Sequence, residues 1–491
     1  MPRWLMLLAA LIVFFPTPVH ADASVDKVLV IGLDGLRYDR IAPADAPNLD
    51  ALIATGTFGT SLLYANPMAA TSSGPGWSTI ATGVWPDRHG VKDNSFTGRR
   101  YDLYPDFLSR IEAVNPAMNT FAAFDWKALS DYGTFGPAID NRVVFDGDTN
   151  GFPAEDERVT QAAEPVLRDQ NPDASFVYLG NIDIAGHNSG AASKGYLDAI
   201  KASDAQIGRL LAAVRARPTY ASERWTVIVA TDHGHTDAGG HGGSTIEERR
   251  TFVLASGPGI AAGATPRDTR LVDVTATVFT QLKLPVPAGL DSRFVGTRAG
   301  DPFDALPLSG RVNETGIPAG VLGFTHTPPA GWSVNNSALP SGGVEEWRGW
   351  SFTTDEFWSR AQRDQWRELN VRSRGTFAVA DSDEWDDRSH GAGPYDTSLT
   401  SPAFGVAGRT SATITYATHY RPDGTQKAQV LVSFDGGPYA VVKNYTAEAI
   451  AKVEAVPVAV PAGASSMTVK FRYFDATNNW YWAIDDLRVT P

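Results

Sequence analysis

The stretch Lys27-Val-Leu-Val-Ile-Gly-Leu-Asp-Gly-Leu-Arg37 decides how the N-terminal half is read. Seven residues apolar on both faces suit a strand buried in a parallel sheet, and the run then breaks at Asp34, which is flanked by glycine. Three further runs repeat the pattern: Ala174-Ser-Phe-Val-Tyr-Leu-Gly180, Trp225-Thr-Val-Ile-Val-Ala230 and Thr251-Phe-Val-Leu-Ala-Ser256. Between them lie stretches of helical period, among them Pro47-Asn-Leu-Asp-Ala-Leu-Ile-Ala54 and Gly195 to Leu211. Strands alternating with helices predict an α/β fold with a largely parallel sheet. In such sheets ligands bind beyond the carboxyl ends of the strands, which is where Asp34, Asp183, Asp232 and His233 fall.

The rest of the chain reads differently. Eight of the 13 tryptophans lie beyond residue 320, in a context of Gly, Pro, Asn and Thr. From Pro402 onward, segments such as Ser411–Ala417 and Met467–Phe474 alternate with period two between turn clusters, which predicts a β-sandwich. An amphipathic helix is expected near Asp355–Leu369. Residues 1–21, with Arg3 ahead of the apolar run Trp4–Phe15 and a small-residue ending at Ala21, read as a signal peptide. The division is thus 1–21 signal, 22–308 α/β domain and 309–491 linker and β-sandwich. Twelve apolar residues are too few for a membrane span, and no other stretch is long and apolar enough. The expected location is secreted or periplasmic, with no span left after cleavage. A net charge of −13 argues against a protein that grips duplex nucleic acid by its phosphates. With no cysteine, the fold rests on its cores alone.

Side chains of ligand character in the first region occur in the order Asp34, Ser73, Asp183, His187, Asp232, His233 and His241. Each sits at a break in the pattern. Asp183 and His187 are spaced Asp-x-x-x-His, and His241 lies in Gly239-Gly-His-Gly-Gly243. Alone, each suggests a turn or a packed histidine. Together, mixed carboxylate and imidazole donors at strand ends suit two divalent ions, with zinc the first choice. Two such ions can drive in-line displacement at phosphorus with a side-chain alkoxide as nucleophile. Ser73, followed by Gly74-Pro-Gly76 at the start of a helical run, fits that role, with Ser72 as the neighbouring alternative.

These motifs resemble the alkaline phosphatase superfamily, within it the type I phosphodiesterase and nucleotide pyrophosphatase branch. The markers are Gly32-Leu-Asp-Gly-Leu-Arg37, Ala46-Pro-Asn-Leu-Asp-Ala-Leu52, Thr82-Gly-Val-Trp-Pro-Asp-Arg-His-Gly-Val91, Asp183-x-x-Gly186-His187 and Thr231-Asp-His-Gly-His235. The resemblance implies a central sheet between helical layers and a small phosphate-ester substrate. It assigns one ion to Asp183, His187 and His241, and the other to Asp34, Asp232, His233 and Ser73. It also implies an amide donor to the phosphoryl oxygen. Gly76 has none, which leaves Asn94, Lys127 and Asn181 as candidates, with Trp77 and Arg37 as further pocket residues. Phosphomonoesterases and sulfatases share the architecture and remain alternatives, although the segment after Ser73 lacks the arginine of the sulfatase motif. In the tail, Glu345-Glu-Trp-Arg-Gly-Trp350, Asp381–Asp387 and Trp480-Tyr-Trp-Ala-Ile-Asp-Asp486 resemble MAM-like or lectin-like jelly rolls. That likeness implies a glycan or surface polymer as partner, although the tryptophans are read first as core; Asp381, Asp383, Asp387, Asp485 and Asp486 could gather a calcium ion through hard oxygen ligands, with solvated loop carboxylates the commoner case. A non-catalytic protein working through this tail is the rival from another class.

Overall fold

The computed structural model describes residues 24–296 and 301–490; the expected signal peptide lies outside them. The α/β region is built on a seven-stranded sheet of β1 (Val25–Leu33), β2 (Thr57–Leu62), β3 (Thr120–Phe124), β4 (Asn141–Val144), β5 (Ala174–Leu179), β6 (Glu223–Ala230) and β7 (Arg250–Ser256). Their order across the sheet is β2-β7-β6-β1-β5-β3-β4. The centre is parallel, with Val30 opposite Phe176 on β5 and Ile228 on β6. β7 runs antiparallel to both β6 and β2, so the Thr251–Ser256 run belongs to a reversed strand.

Each face of the sheet has its own core. On one, Leu29, Ile31 and Val229 pack against Ile207, Leu210 and Leu211 of the helix Lys194–Arg215. On the other, Val28, Val30, Phe176 and Ile228 pack against Trp77 and Ile80 of the helix Ser73–Thr82. With helices on both faces, β1 is buried from Lys27 to Leu33 and delivers Asp34 to the rim.

The remainder is β-rich, with two antiparallel sheets of six and seven strands. Trp347, Trp350, Trp385 and Trp482, the tryptophans read first as core, are buried in it and leave no ring of these four for a sugar. The five carboxylates expected to gather calcium fall into two sets, Asp381, Asp383 and Asp387 around Arg367, and Asp485 with Asp486 beside Arg374 and Arg293. Asp381 and Asp383 face the buried Arg367 guanidinium at 3.2 and 3.5 Å, Asp387 is exposed, Asp485 accepts from Arg374 N at 2.7 Å, and Asp486 pairs with Arg293. Arg367 therefore already supplies the positive charge a cation would bring to Asp381. The helix expected over Asp355–Leu369 is two pieces, Asp355–Ala361 and a 3-10 turn Arg367–Leu369. Left-handed backbone at Asp364 and Trp366 breaks it.

Candidate metal centre and nucleophile

Three strand ends supply the site. Asp34 follows β1, and its backbone N–H donates to Leu179 O at the end of β5. Asp183 and His187 lie four residues apart on the helix Asn181–Ser189, which starts just past β5 and turns both side chains to one face. Asp232 and His233 follow β6, and the glycine loop after them carries His241.

The approach is close enough to need glycine. Gly35 has φ +64°, and a Cβ there would lie 2.8 Å from both Asp183 Oδ1 and His235 Nε2. A Cβ on Gly76 would lie 2.6 Å from Asp232 O, so the helix bearing Ser73 can rest on that turn only without a side chain.

Ser73 is the first residue of its helix, and its hydroxyl lies 3.4 Å from Asp34 Oδ1 and 3.3 Å from His233 Nε2. Ser72 stands one position outside, makes no side-chain cap, and has its hydroxyl buried without a partner. Asp34 is held by two donors sequence reasoning did not assign to it: Trp77 Nε1 at 2.8 Å and the Tyr178 hydroxyl at 2.6 Å, both to Oδ2. Oδ1 is thereby left to face Ser73 and His233.

The histidines are oriented through their far nitrogens. His241 Nδ1 donates to Thr71 O at 2.9 Å and His233 Nδ1 to Gly234 O at 3.0 Å, which leaves both Nε2 lone pairs aimed inward. His187 Nε2 and His241 Nε2 lie 3.0 Å apart, and His187 Nε2 is 3.3 Å from Asp183 Oδ2. His235, also missed, is buried with Nε2 2.7 Å from Asp183 Oδ1. Its spacing of two residues from His233, within Asp-His-Gly-His, was the signal that could have found it.

Two groups of donor atoms are close enough for an ion each: Asp183, His187, His235 and His241, and Asp34, Asp183 and His233, with every atom of a group within 4.8 Å of the others. Asp183 belongs to both. Asp232 completes the cluster, with Oδ1 accepting from Gly35 N at 3.1 Å and Oδ2 buried, without a hydrogen-bond partner, 3.3 Å from His233 Nε2.

The charge balance fits a cation. Asp34, Asp183 and Asp232 lie within a tenth of full burial, and no Lys or Arg among the described residues pairs with any of them. Burial, reinforced by the Asp183 carboxylate, pushes the Asp34 carboxyl up to about 8, and burial with Asp34 beside it raises Asp232 strongly. Burial would raise Asp183 as well, but hydrogen bonds from His187 and His235 hold it far below the usual carboxylate range. Burial also keeps His233 and His241 neutral, as ligands must be. Carboxylates that repel one another, an orphaned Asp232 oxygen and inward imidazole lone pairs are what a hard or borderline divalent ion would satisfy.

The cluster opens into a cavity of about 200 Å³ lined by Asp34, Ser73, Asn94, Asp183, His187 and His241, and by Trp126, Asp148, Phe152, Tyr178, Gly180 and Ile184. Of the expected substrate contacts, Asn94 lines it, with Oδ1 accepting from Gly74 N at 2.7 Å. The others do not. Trp77 is buried beneath Asp34, and exposed Lys127 is paired with Asp131. Asn181 gives its backbone N–H to Asp156 at the start of its helix, and Arg37 is bound to Asp39 and Asp237.

A model of the type I phosphodiesterase / nucleotide pyrophosphatase family matches residues 28–118 and 137–270. Curated relatives include the ectonucleotide pyrophosphatase/phosphodiesterase family member 3 of Rattus norvegicus, 27% identical over 42% of this chain and 24% of its own length. Another is venom phosphodiesterase 2 of Crotalus adamanteus, 25% identical over 44% of this chain and 28% of its own. The aligned part of this chain thus spans about a quarter of each of these proteins. Among solved structures, murine ectonucleotide pyrophosphatase / phosphodiesterase 5 in complex with AMP aligns with a TM-score of 0.42 and 15% identity, over 55% of this chain and 97% of that one. By sequence, the α/β region that holds the Asp/His cluster is similar to the type I phosphodiesterase / nucleotide pyrophosphatase family, and the family match stops at residue 270.

Proposed function

We propose that the chain is a metal-dependent hydrolase of small phosphoric diesters, acting through a covalent intermediate on Ser73. The observation that carries this reading is the Ser73 hydroxyl, set 3.3–3.4 Å from His233 and Asp34 at the mouth of a carboxylate–imidazole cluster without a basic counter-charge. Two divalent ions, when bound, supply positive charge that favours the Ser73 alkoxide and the departing oxygen. Asp183, His187 and His241, with His235 behind them, would hold one; Asp34, Asp232, His233 and Ser73 would hold the other. Zinc suits the donor set.

The protein's own groups do the rest. Trp77 and Tyr178 fix Asp34, so Oδ1 stays on the Ser73 side. Ser73 Oγ bonds to phosphorus as the ester oxygen departs with the alcohol, and the hydroxyl proton is released to water. Water then attacks phosphorus in the resulting Ser73 phosphodiester; the Ser73 oxygen leaves and takes up a proton, and the phosphate departs with the second alcohol still esterified. Because Asn94 Oδ1 is engaged by Gly74 N, its Nδ2 is free to donate to a non-bridging phosphoryl oxygen. No Lys or Arg lines the cavity, so a second negative charge on the phosphoryl group finds no side-chain partner. That favours a singly charged diester over a phosphomonoester. Sequence features and relatives named as ectoenzymes or venom enzymes support export. No described helix is long and apolar enough to cross a membrane.

Turnover of bis(p-nitrophenyl) phosphate tests the reading, combined with acid quench and mass spectrometry of the Ser73 peptide. Expected are a phosphoryl adduct on Ser73, loss of activity on chelation with recovery on adding divalent metal, and a fall of about a thousandfold in Ser73→Ala with folding intact. Undiminished turnover in Ser73→Ala would end the proposal.

A further inference from the structure

A second cavity, of about 170 Å³, opens where the α/β and β-rich regions meet, and its charged lining is Asp291, Arg293, Arg372, Arg374, Asp486 and Arg488. It lies away from the metal centre. Asp291 and Trp85, both in its wall, hold the far end of the helix that begins at Ser73: Asp291 N donates to Gly83 O at 3.0 Å, and Trp85 N to Asp291 Oδ2 at 3.1 Å. Ten helical residues put that end roughly 15 Å from Ser73.

A bulge shapes the other wall. The strands Ser411–Tyr420 and Tyr481–Thr490 pair Thr415 with Arg488 but Ala417 with Asp485, so Asp486 and Leu487 stand opposite Tyr416 alone. Asp486 takes left-handed backbone there, with φ 52°. Such bulges re-aim side chains, and this one sets Asp486 and Arg488 in the cavity wall together with Arg293 from the other side of the seam. The four arginines are unequally committed. Arg374 is bound to Asp273 and to Asp291 O, and Arg372 to Asp87 and Ala451 O. Arg293 and Arg488 have one carboxylate between them: Arg293 Nη2 pairs with Asp486 Oδ2, and Arg488 Nη2 stands 3.6 Å from Oδ1. Arg293 Nε and Nη1, and the whole Arg488 guanidinium, make no hydrogen bond among the described residues. In a chain of net charge −13, four guanidiniums here line one cavity against two carboxylates.

We propose that this cavity binds a phosphate dianion, free or as the end group of a small monoester, between Arg293 and Arg488. Guanidinium forks match the oxygens of phosphate, and two of them sharing one aspartate leave both N–H donors and positive charge for a ligand. Arg372 and Arg374, already fixed by the protein, add to the positive potential. Trp85, Val371 and Val453 supply apolar wall for a small organic substituent. By joining Arg293 to Arg488 the ligand ties the two regions together and stabilises the folded chain. The assignment is independent of the hydrolase reading.

Retention of inorganic phosphate tests it, measured by equilibrium dialysis on the full chain, metal-loaded and chelated, at a constant ionic strength set with chloride. Chelation separates the two places phosphate can go, because an emptied metal centre has lost the cations that attract it. About one equivalent is expected to stay bound after chelation, and to raise the melting temperature. Arg488→Ala, at a side chain 66% exposed and so tolerated by the fold, should weaken that binding about tenfold and leave diester turnover unchanged. Asp486→Asn, which frees both guanidiniums of their shared carboxylate, should tighten it, a gain that structural damage does not produce. Phenylphosphonate binding more tightly than phosphate would assign the site to monoesters, and equal or weaker binding to the free ion. No phosphate retained after chelation, wild-type affinity in Arg488→Ala, or weaker binding in Asp486→Asn would each overturn the proposal.

Discussion

Gly76 shows how tightly the helix that begins at Ser73 is set against the Asp/His cluster, because a single methyl group there would meet Asp232 O at 2.6 Å and Asp232 Cβ at 2.7 Å. Gly76→Ala should cost about 1–3 kcal/mol through overpacking and should weaken metal binding, as followed by thermal denaturation and metal titration. Asp34 gives a second expectation. In the metal-free protein burial beside Asp183 lets its carboxyl hold its proton up to about 8 instead of the ordinary 3.8, so the folded state binds more protons at this group than the unfolded chain between those values. Stability of the chelated protein should therefore fall as pH rises from about 6.5 to 8, by about 1.4 kcal/mol per pH unit from Asp34, since below that range the buried neutral histidines His233 and His241 act in the opposite sense, and divalent metal should remove the slope. Melting temperatures of the chelated and loaded forms across that range decide it. At this scale the sequence marks Asp34, Asp183, His187, Asp232, His233 and His241 because each stands at a strand end or beside glycine. It does not reveal Tyr178 and Trp77 as the donors that fix Asp34, since one lies within β5 and the other a turn into a helix, both reading as core. Lys127 illustrates the converse: its charge suggests a phosphate contact, and an acid four residues on, Asp131, takes it instead.

Among the elements, the helix Asn181–Ser189 matters most, since it carries two ligands and begins on the Asp156 carboxylate. Gly180 N donates to Asp156 Oδ1 at 2.8 Å and Asn181 N to Oδ2 at 3.2 Å, so two otherwise orphaned amides are satisfied there. Asp156→Ala should cost about 1–2 kcal/mol in stability and weaken metal affinity by shifting Asp183 and His187, measured by denaturant unfolding and metal titration. The continuous apolar runs identified the strands, but an apolar run does not reveal strand direction, and β7 proved reversed. The helix expected over Asp355–Leu369 failed for a local reason: its period is real, yet Asp364 and Trp366 adopt left-handed backbone that no periodicity reports.

On the scale of the whole molecule, buried arginines join the α/β and β-rich regions. The Arg249 guanidinium donates to Ser359 Oγ at 3.0 Å and Asp355 at 3.2 Å, and Arg374 makes a two-pronged contact with Asp273 at 2.8 and 2.9 Å. Arg249 closes the short helix that follows the His241 loop, so this seam also steadies the rim that carries the Asp/His cluster. Arg374→Ala should destabilise the protein by about 3 kcal/mol, since a buried charge loses a partner, and both regions should melt in one transition by calorimetry. Composition announced a change of texture near residue 309. The seam was invisible there, because its arginines and aspartates are scattered singly through ordinary loops. Metal content of purified and exhaustively dialysed protein, read beside diester turnover, bears on all of this at once. About two equivalents of divalent ion are expected in the wild type, with both ion content and turnover collapsing in Asp183→Asn, whose side chain faces both donor groups. Wild-type protein that retains no divalent ion yet hydrolyses diesters, or an Asp183→Asn variant equal to it in both measurements, would contradict a metal centre at this rim.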